Sequence, residues 1–454
     1  MNKGTSRPLT LDDGARVGVV GGGPAGSMFS TFLLSIAERV GLDVSVDVCE
    51  WRDFTKTGPA GCNMCGGIVS ESLVENLAAE GINLPTTVVR RAIDSYVLHM
   101  DVGTVRFETP LKEMRIAATH RGAGPRGAGP RGTTPSQWEG LDGFLLKLAE
   151  DRGARVVPGR VEEVAWTDGR PLVRTRGGSF VPYDLLVVAV GVNSKVLGLF
   201  DDAVPPYRQP RTRKTYICEF AMGRDLVEER LGSSMHVFLL NLPRIEFAAI
   251  IPKGDFATLC LLGRDIDDAL VEAFLDAPEV RACLPLDAEG AKRVCHCAPH
   301  LSVRGAREPF GDRVVFVGDC GVTRLYKDGI GAAYRTAKAA AVTAVFDGIA
   351  AGDFRRHFWP VCRAIERDNR LGGLVFMLTR LIQNSRLLRR GVVRMVSDEQ
   401  CRDGAQRRMS RMLWDTFTGS APYRSVVARG FHPAFLARFA GNIIAGLWPR
   451  TRRG

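Results

Sequence analysis

The sequence lacks a long apolar run, and no stretch approaches the roughly 20 residues that a membrane-spanning helix needs. Residues 1–7 also lack the apolar segment of a secretory signal peptide. The eleven cysteines are scattered rather than spaced as a disulfide framework, which favours a reducing compartment. We therefore expect a cytoplasmic protein.

The sequence also shows no Ser-His-Asp set and no paired carboxylates that would indicate catalysis by side chains alone. At 454 residues, with 45% apolar and 24% charged residues, the chain is an ordinary globular protein with room for two or three lobes. These absences leave the chemistry to a bound cofactor.

Lysine is missing from residues 355–454, which hold twenty arginines and six acidic residues. The whole chain has a net charge of +11, so its basic character belongs to this region. Large apolar residues recur there at helical spacing, a pattern typical of helices on an anionic membrane surface. The alternative is a helical domain that packs on the rest of the protein with its arginines in solvent. Nucleic-acid binding fits less well, because the arginines alternate with core-sized apolar residues.

A Gly-Gly-Gly-Pro-Ala-Gly segment at 21–26 follows an apolar, β-branched run at 16–20 and precedes an apolar helical stretch. This order predicts a strand, a tight turn and a helix whose N-terminus binds a pyrophosphate. A second predicted strand, 44–49, ends at Glu50, where a carboxylate can accept hydrogen bonds from a ribose and repel a 2′-phosphate. The segment therefore indicates a dinucleotide with an unphosphorylated ribose.

A second glycine-rich segment decides between FAD and NAD. The predicted strand 313–317 ends at Gly318-Asp319, where the aspartate can bind a ribitol hydroxyl. Gly329 and Gly331 open a helix whose N–H groups can face the flavin pyrimidine, where reduction creates negative charge. NAD alone has no use for this element, so we expect FAD. The predicted FAD-binding residues are Gly21, Gly23, Pro24, Ala25, Gly26, Glu50, Gly66, Gly67, Gly318, Asp319, Gly329, Ile330 and Gly331.

With these motifs the chain resembles the glutathione-reductase superfamily, in its para-hydroxybenzoate-hydroxylase-type branch. The Cys-Gly-Gly-Ile-Val segment at 65–69 and the apolar Pro-Lys-Gly-Asp segment at 247–255 are similar to segments of geranylgeranyl reductases. The resemblance covers residues 14–350. In two respects the sequence departs from that family: aliphatic residues replace the Trp-x-Phe-Pro type sequence before Pro252, and residues 355–454 match no part of it.

The resemblance implies an α/β fold in which a Rossmann-type FAD-binding domain is interleaved with an antiparallel β-sheet substrate domain, followed by a C-terminal helical region. We expect the FAD-binding domain at 14–80, 120–200 and 302–350, and the substrate domain at 86–118 and 205–300. Residues 95–107 read as a hairpin of its sheet. The tandem Gly-Ala-Gly-Pro-Arg repeat within 121–132 is too rich in glycine and proline for a regular element, and predicts a loop.

The cysteine clusters allow more than one interpretation. Cys62 and Cys65 form a Cys-x-x-Cys, and Cys295-His296-Cys297 with His300 forms a second group. Zinc or an iron–sulfur cluster would require the two groups to meet, and we expect no metal. We predict instead that Cys65 lines the cavity near the flavin and supplies a proton; a packed thiol is the alternative.

The function that the resemblance implies is reduction of carbon–carbon double bonds in a prenyl lipid by hydride from reduced FAD. With no second nucleotide-binding loop, the electron donor is either transiently bound NAD(P)H or ferredoxin. Alternatives on the same fold are a flavin-dependent monooxygenase (a hydroxylase) and a membrane-surface quinone reductase. A non-enzymatic flavin-binding sensor or scaffold is a further one. The predicted partners are the prenyl lipid and, through 355–454, the anionic inner face of the membrane.

Overall fold

The computed structural model describes residues 8–57, 66–109, 116–126, 137–201, 203–204, 206–287, 290–402 and 407–447. None of the helices in these ranges is both long and apolar enough to cross a membrane.

A six-stranded sheet forms the first lobe. Strands are numbered in chain order, and across this sheet they lie as β10 (Arg155–Pro158), β2 (Val44–Glu50), β1 (Ala15–Val20), β14 (Leu185–Val188), β23 (Val314–Phe316) and β22 (Phe310–Gly311). All neighbours pair in parallel except β22 with β23. Every residue of β14 and β23 is buried, as parallel strands covered on both faces require.

Helices cover one face of this sheet, where α1 (Pro24–Val40) packs between α3 (Leu141–Asp151) and α7 (Gly329–Phe346). The other helices outside the C-terminal region are α2 (Glu71–Ala79), α4 (Arg224–Arg230), α5 (Asp268–Leu275) and α6 (Pro278–Arg281). A three-stranded antiparallel sheet follows β10 in the chain: β11 (Val161–Thr167), β12 (Arg170–Thr175) and β13 (Phe180–Pro182).

A seven-stranded sheet forms the second lobe. Its strands, in spatial order, are β20 (Lys292–Cys297), β16 (Tyr216–Ala221), β19 (Phe256–Gly263), β18 (Ile245–Lys253), β17 (Ser234–Phe238), β5 (Ser95–Met100) and β6 (Gly103–Glu108). The predicted hairpin is β5–β6, and β5 pairs in parallel with β17 within an otherwise antiparallel sheet. All nine residues of β18 are buried, because one face of the sheet packs against residues of the C-terminal region and the other under α4, α5 and α6.

Three small sheets complete the β-structure. They pair β3 (Ile68–Val69) and β4 (Val89–Ile93) with β7 (Ile116–Thr119), β15 (Arg211–Lys214) with β21 (His300–Arg304), and β8 (Gly124–Arg126) with β9 (Gln137–Trp138). The loop expected over 121–132 is therefore wrong at β8, where antiparallel pairing with β9 overrides the local glycine and proline content. Residues 127–132 lie outside the described residues.

The C-terminal region is helical and packs on both lobes. Its helices are α8 (Ala351–Asp353), α9 (Trp359–Asn384), α10 (Arg386–Gln400), α11 (Arg408–Thr418), α12 (Tyr423–Gly430) and α13 (Pro433–Ala445), with a π-turn at Phe354–Phe358 joining α8 to α9. Arg380 of α9 forms an ion pair with the buried Glu246 of β18, and Arg389 of α10 pairs with Asp101 in the β5–β6 turn. These arginines therefore hold the helices to the second lobe. The α/β fold class is confirmed, whereas the domain boundaries stay a prediction.

Candidate functional site

A cavity of about 650 Å³ lies between the two lobes, a size typical of cofactor and small-molecule sites. It begins at the carboxyl ends of β1 and β14, passes the N-termini of α1 and α7, and ends on the inner face of the seven-stranded sheet. The predicted residues that line it are Gly21, Gly23, Pro24, Ala25, Glu50, Gly66, Gly67, Asp319, Gly329 and Ile330. The lining does not include the other three predicted residues, Gly26, Gly318 and Gly331, which instead fix the backbone of the loops that form it.

The first glycine loop turns as tightly as its sequence predicts. Gly21 has φ +104°, and a Cβ on it would lie 2.7 Å from the carbonyl oxygen of Ala189 in the segment after β14. A Cβ on Gly26 would lie 1.9 Å from the Gly21 carbonyl oxygen, so only glycine lets α1 begin this close to β1. Pro24 occupies the first turn of α1, where its missing N–H costs no hydrogen bond. The N-terminus of α1 consequently opens into the cavity.

Glu50 ends β2 and is held rigidly beside this loop. One carboxylate oxygen accepts a hydrogen bond from the Gly22 N–H and the other from the Arg52 N–H, each at 2.8 Å. Burial raises the pKa of Glu50, and the two N–H groups oppose that rise. Each oxygen has a further lone pair, so the carboxylate can also accept from a hydroxyl in the cavity.

The second glycine loop touches the first. Gly318 has φ +68°, and a Cβ on it would lie 2.7 Å from the Cβ of Ala25. Asp319 faces the cavity, and burial raises the pKa of its carboxyl group. At the start of α7, a Cβ on Gly331 would lie 2.1 Å from the Asp328 carboxylate, which explains the glycine there. The two motifs, about 300 residues apart in sequence, thus border one space.

The segment at 66–67 forms another wall. Gly67 has φ +69° and its carbonyl oxygen accepts a hydrogen bond from the Thr119 N–H at 2.7 Å. A Cβ on Gly66 would lie 3.1 Å from Cys260 Sγ on the inner face of the sheet. Cys62 and Cys65 lie outside the described residues, and the catalytic role of Cys65 stays a prediction.

Lys327 is a cavity residue that the sequence analysis missed. Its side chain is buried, and its Nζ lies 3.2 Å from the centroid of the Phe247 ring on β18. Burial lowers the pKa of Lys327 to about 7, since the charged form is poorly solvated there. Around it the cavity wall is apolar: Met235, Phe247, Ala249, Ile251 and Leu262.

The backbone around Lys327 is strained, because both neighbours are non-glycine residues with positive φ: Tyr326 at +59° and Asp328 at +54°. Such residues cost on the order of 1 kcal/mol or more each and persist where surrounding contacts fix them. The Tyr326 hydroxyl accepts a hydrogen bond from Arg213 at 2.9 Å, and the buried Asp328 carboxylate lies 3.1 Å from Arg335. These contacts fix the loop that carries Lys327.

The C-terminal helices close the cavity over this loop. Phe417 and Thr418 at the end of α11 line it, and a Cβ on Gly419 would lie 3.1 Å from the Cβ of Lys327. The buried Arg324 guanidinium donates to the carbonyl oxygens of Gly419 and Ala421. The region 355–454 therefore contributes to the site itself, and no local pattern in its sequence indicates this.

The second cysteine group lies at an edge of the seven-stranded sheet. Cys295 is exposed and Cys297 half-buried on the edge strand β20, while the His296 ring stacks on Tyr216 at 6.0 Å. Within the described residues, these side chains and His300 form no group of three that could share a metal ion.

Solved structures similar to this one are flavin enzymes of low sequence identity. A flavoprotein/dehydrogenase from Cytophaga hutchinsonii has a TM-score of 0.58 at 13% identity, over 96% of this chain and 100% of its own. The p-nitrophenol 4-monooxygenase PnpA from Pseudomonas putida DLL-E4 has a TM-score of 0.55 at 14% identity, over 90% and 98%. A triple mutant of the flavin-dependent brominase Bmp2 has a TM-score of 0.54 at 16% identity, over 91% and 98%.

No protein-family model and no curated protein matches the sequence. The similar structures show that this chain has the fold of FAD-dependent monooxygenases and halogenases. The resemblance to geranylgeranyl reductases therefore depends on its two short motifs.

Proposed function

We propose that the protein is an FAD-dependent monooxygenase that hydroxylates an aromatic compound carrying an acidic hydroxyl group. The residues present fit FAD: glycines leave a cradle that Cβ atoms would fill, and the two carboxylates Glu50 and Asp319 face the cavity. The loop at 21–26 and the α1 N-terminus would hold the pyrophosphate, Glu50 the ribose, Asp319 the ribitol and the α7 N-terminus the ring edge. When bound, FAD supplies the redox chemistry with the electron donor and with oxygen.

The observation that carries the proposed reaction is Lys327 in the apolar end of the cavity. With a pKa of about 7, its amine is neutral in roughly half of the molecules at pH 7 and can accept the proton of a phenol. The O–H bond breaks, the proton moves to Nζ, and the electron pair stays on the phenolate oxygen. The resulting ammonium–phenolate pair is desolvated and therefore strong.

The remaining wall supports this chemistry. Phe247, Met235 and Leu262 pack against an aromatic ring and exclude water. A phenolate is richer in electrons than a phenol, which favours transfer of oxygen to a ring carbon. One oxygen atom of O₂ enters the ring and the other leaves as water, with two electrons from NAD(P)H or ferredoxin. The similar structure named p-nitrophenol 4-monooxygenase acts on a compound of this class and supports the proposal.

The test uses p-nitrophenol, whose phenolate absorbs visible light, added to the FAD-loaded protein at pH 7, and its absorbance is compared with that of the free compound at the same pH. We expect it to bind as the phenolate. Lys327→Met, which removes the charge but keeps the length, should weaken binding roughly 10- to 150-fold, as loss of a hydrogen bond to a charged group predicts. Lys338→Met, on α7 and paired with Glu80 outside the cavity lining, is the matched control. Binding of the neutral phenol, or unchanged binding to Lys327→Met, would contradict the proposal.

Reduction of a prenyl double bond is the second candidate, and the apolar sheet face around Phe247 and Ile251 favours it. Its test is anaerobic: the photoreduced protein is mixed with a geranylgeranyl lipid and the oxidised-flavin absorbance is followed. Return of that absorbance with a gain of two hydrogens in the lipid would favour the reductase. A flavin that stays reduced until air is admitted would count against it.

A further inference from the structure

Two histidines and a cysteine meet on the outer face of the seven-stranded sheet, the face turned away from the cavity. His99 lies on β5, His236 on the neighbouring β17, and Cys283 follows α6. His99 Nε2 lies 2.9 Å from His236 Nδ1, and Cys283 Sγ lies 3.2 Å from His236 Nδ1 and 3.7 Å from His99 Nε2.

These distances leave room for a metal ion. The point equidistant from the three atoms is about 1.9 Å from each, and zinc binds histidine nitrogen at about 2.0–2.1 Å and cysteine sulfur at about 2.3 Å. A zinc ion would therefore lie just outside the plane of the three atoms, with a fourth position directed away from that plane. We propose that His99, His236 and Cys283 form a zinc site.

The outer atoms of both imidazoles are oriented as they are around metals. His236 Nε2 lies 3.3 Å from the Leu231 carbonyl oxygen, so Nε2 carries the proton and Nδ1 presents its lone pair to the centre. His99 Nδ1 lies 3.2 Å from Thr104 Oγ1, which can accept a hydrogen bond from Nδ1–H and so leave the lone pair of Nε2 free. Both rings can therefore present a lone pair to the same point.

The three side chains are shielded from solvent. His99, His236 and Cys283 are all buried, and the His99 ring stacks on Phe238 at 4.6 Å. Imidazole and thiolate together are ligands that zinc prefers over oxygen donors.

The site is separate from the cavity and independent of the proposed function. Met235, one residue before His236, lines the cavity, and successive side chains of a strand point to opposite faces. Zinc would instead join β5 to β17, the one parallel pair described in this sheet, and fix Cys283 against both.

The experiment uses FAD-loaded full-length protein without a histidine tag, treated with EDTA and then titrated with Zn²⁺ against a chromophoric competitor. We expect one zinc per chain. Replacement with Co²⁺ should give the thiolate-to-cobalt charge-transfer band in the near ultraviolet. Cys283→Ser should abolish that band and weaken zinc binding at least 10-fold. Cys218→Ser, at a buried cysteine of the same sheet face, is the matched control and should retain both.

The cobalt spectrum of the wild-type protein tests thiolate ligation even if a variant fails to fold. A spectrum without thiolate ligation, or a zinc content well below one per chain, would overturn the proposal and leave a hydrogen-bonded trio. Equal zinc binding by the wild-type protein and Cys283→Ser would assign the metal elsewhere and would also overturn it. FAD content, measured in the same samples, separates this outcome from failure of the proposed function.

Discussion

Replacement of Lys327 by methionine should make the protein more stable, and by an amount that depends on pH. The pKa of Lys327 falls from 10.5 to about 7 on folding, a difference of about 3.5 units. At about 1.4 kcal/mol per unit, burying the ammonium costs up to about 5 kcal/mol when it is charged in both states. Local rearrangement reduces this, so we expect a gain of about 2–5 kcal/mol for Lys327→Met at pH 6.

The pH dependence distinguishes this cause from simple repacking. Below pH 7 the lysine binds a proton in both the folded and the unfolded chain, so the difference in free energy of unfolding between variant and wild type does not change with pH. Between pH 7 and 10.5 only the unfolded chain binds it, and the wild-type protein gains stability with rising pH by about 1.4 kcal/mol per unit. The advantage of the variant should therefore shrink steadily above pH 7.

Urea unfolding of the FAD-loaded proteins at pH 6, 7, 8 and 9, followed by tryptophan fluorescence, measures this difference. Lys338→Met is again the control, and its difference from wild type should not shrink in this range. The reasoning would be refuted if Lys327→Met were less stable than wild type at every pH. It would also be refuted if the difference between their free energies of unfolding did not change with pH. Lys327 would then be charged and well solvated in the folded protein.

Two further substitutions and one binding experiment test other parts of the protein. Gly26→Ala should lower the FAD content at least 10-fold, because its Cβ would lie 1.9 Å from the Gly21 carbonyl oxygen. Arg324→Met should expose the C-terminal helices to faster proteolysis, because it removes two hydrogen bonds from a charged group, each worth about 1.5–3 kcal/mol. Membrane contact through 355–454 stays a proposal; exposed apolar residues there support it, and full-length protein should sediment with anionic vesicles at low salt.

Gly26→Ala has a matched control, and each of the three experiments has a result that would contradict it. Gly198→Ala, where a Cβ meets no atom within 4 Å, should keep its FAD, and equal loss in both variants would point to general unfolding. Unchanged proteolysis of Arg324→Met would mean that the helices are held by their apolar contacts alone. Vesicle binding that persists in high salt or with neutral lipid would count against an electrostatic contact.

The glycine motifs were predictable because their signal is local. The loop at 21–26 needs glycine for reasons contained within a few residues and its own strand, and the apolar β-branched run before it predicts β1. The β5–β6 hairpin was predictable for the same reason, since alternation with period two reports burial of one face.

The residues that the sequence analysis missed depend on contacts between distant segments. Nothing near Lys327 indicates that its side chain is buried over Phe247, 80 residues away in the chain, under a cover from α11. His99, His236 and Cys283 come from three separate elements, whereas the sequence drew attention to the cysteine pairs that are close in number. The arginines of 355–454 were expected at the surface, but Arg380 pairs with the buried Glu246 and Arg389 is itself buried.

The order of strands in the six-stranded sheet has a consequence for biosynthesis. β2 follows β1 closely in the chain and can pair with it soon after synthesis. The other edge of β1 pairs with β14, which is synthesised much later, and β14 pairs with β23, which is synthesised later still, shortly before α7. At a synthesis rate of about 5–20 residues per second, roughly 15–65 s pass between β1 and the end of α7 leaving the ribosome. During that interval β1 has an open edge and α1 an uncovered apolar face, so the nascent chain is an expected client for chaperones until the last strand arrives.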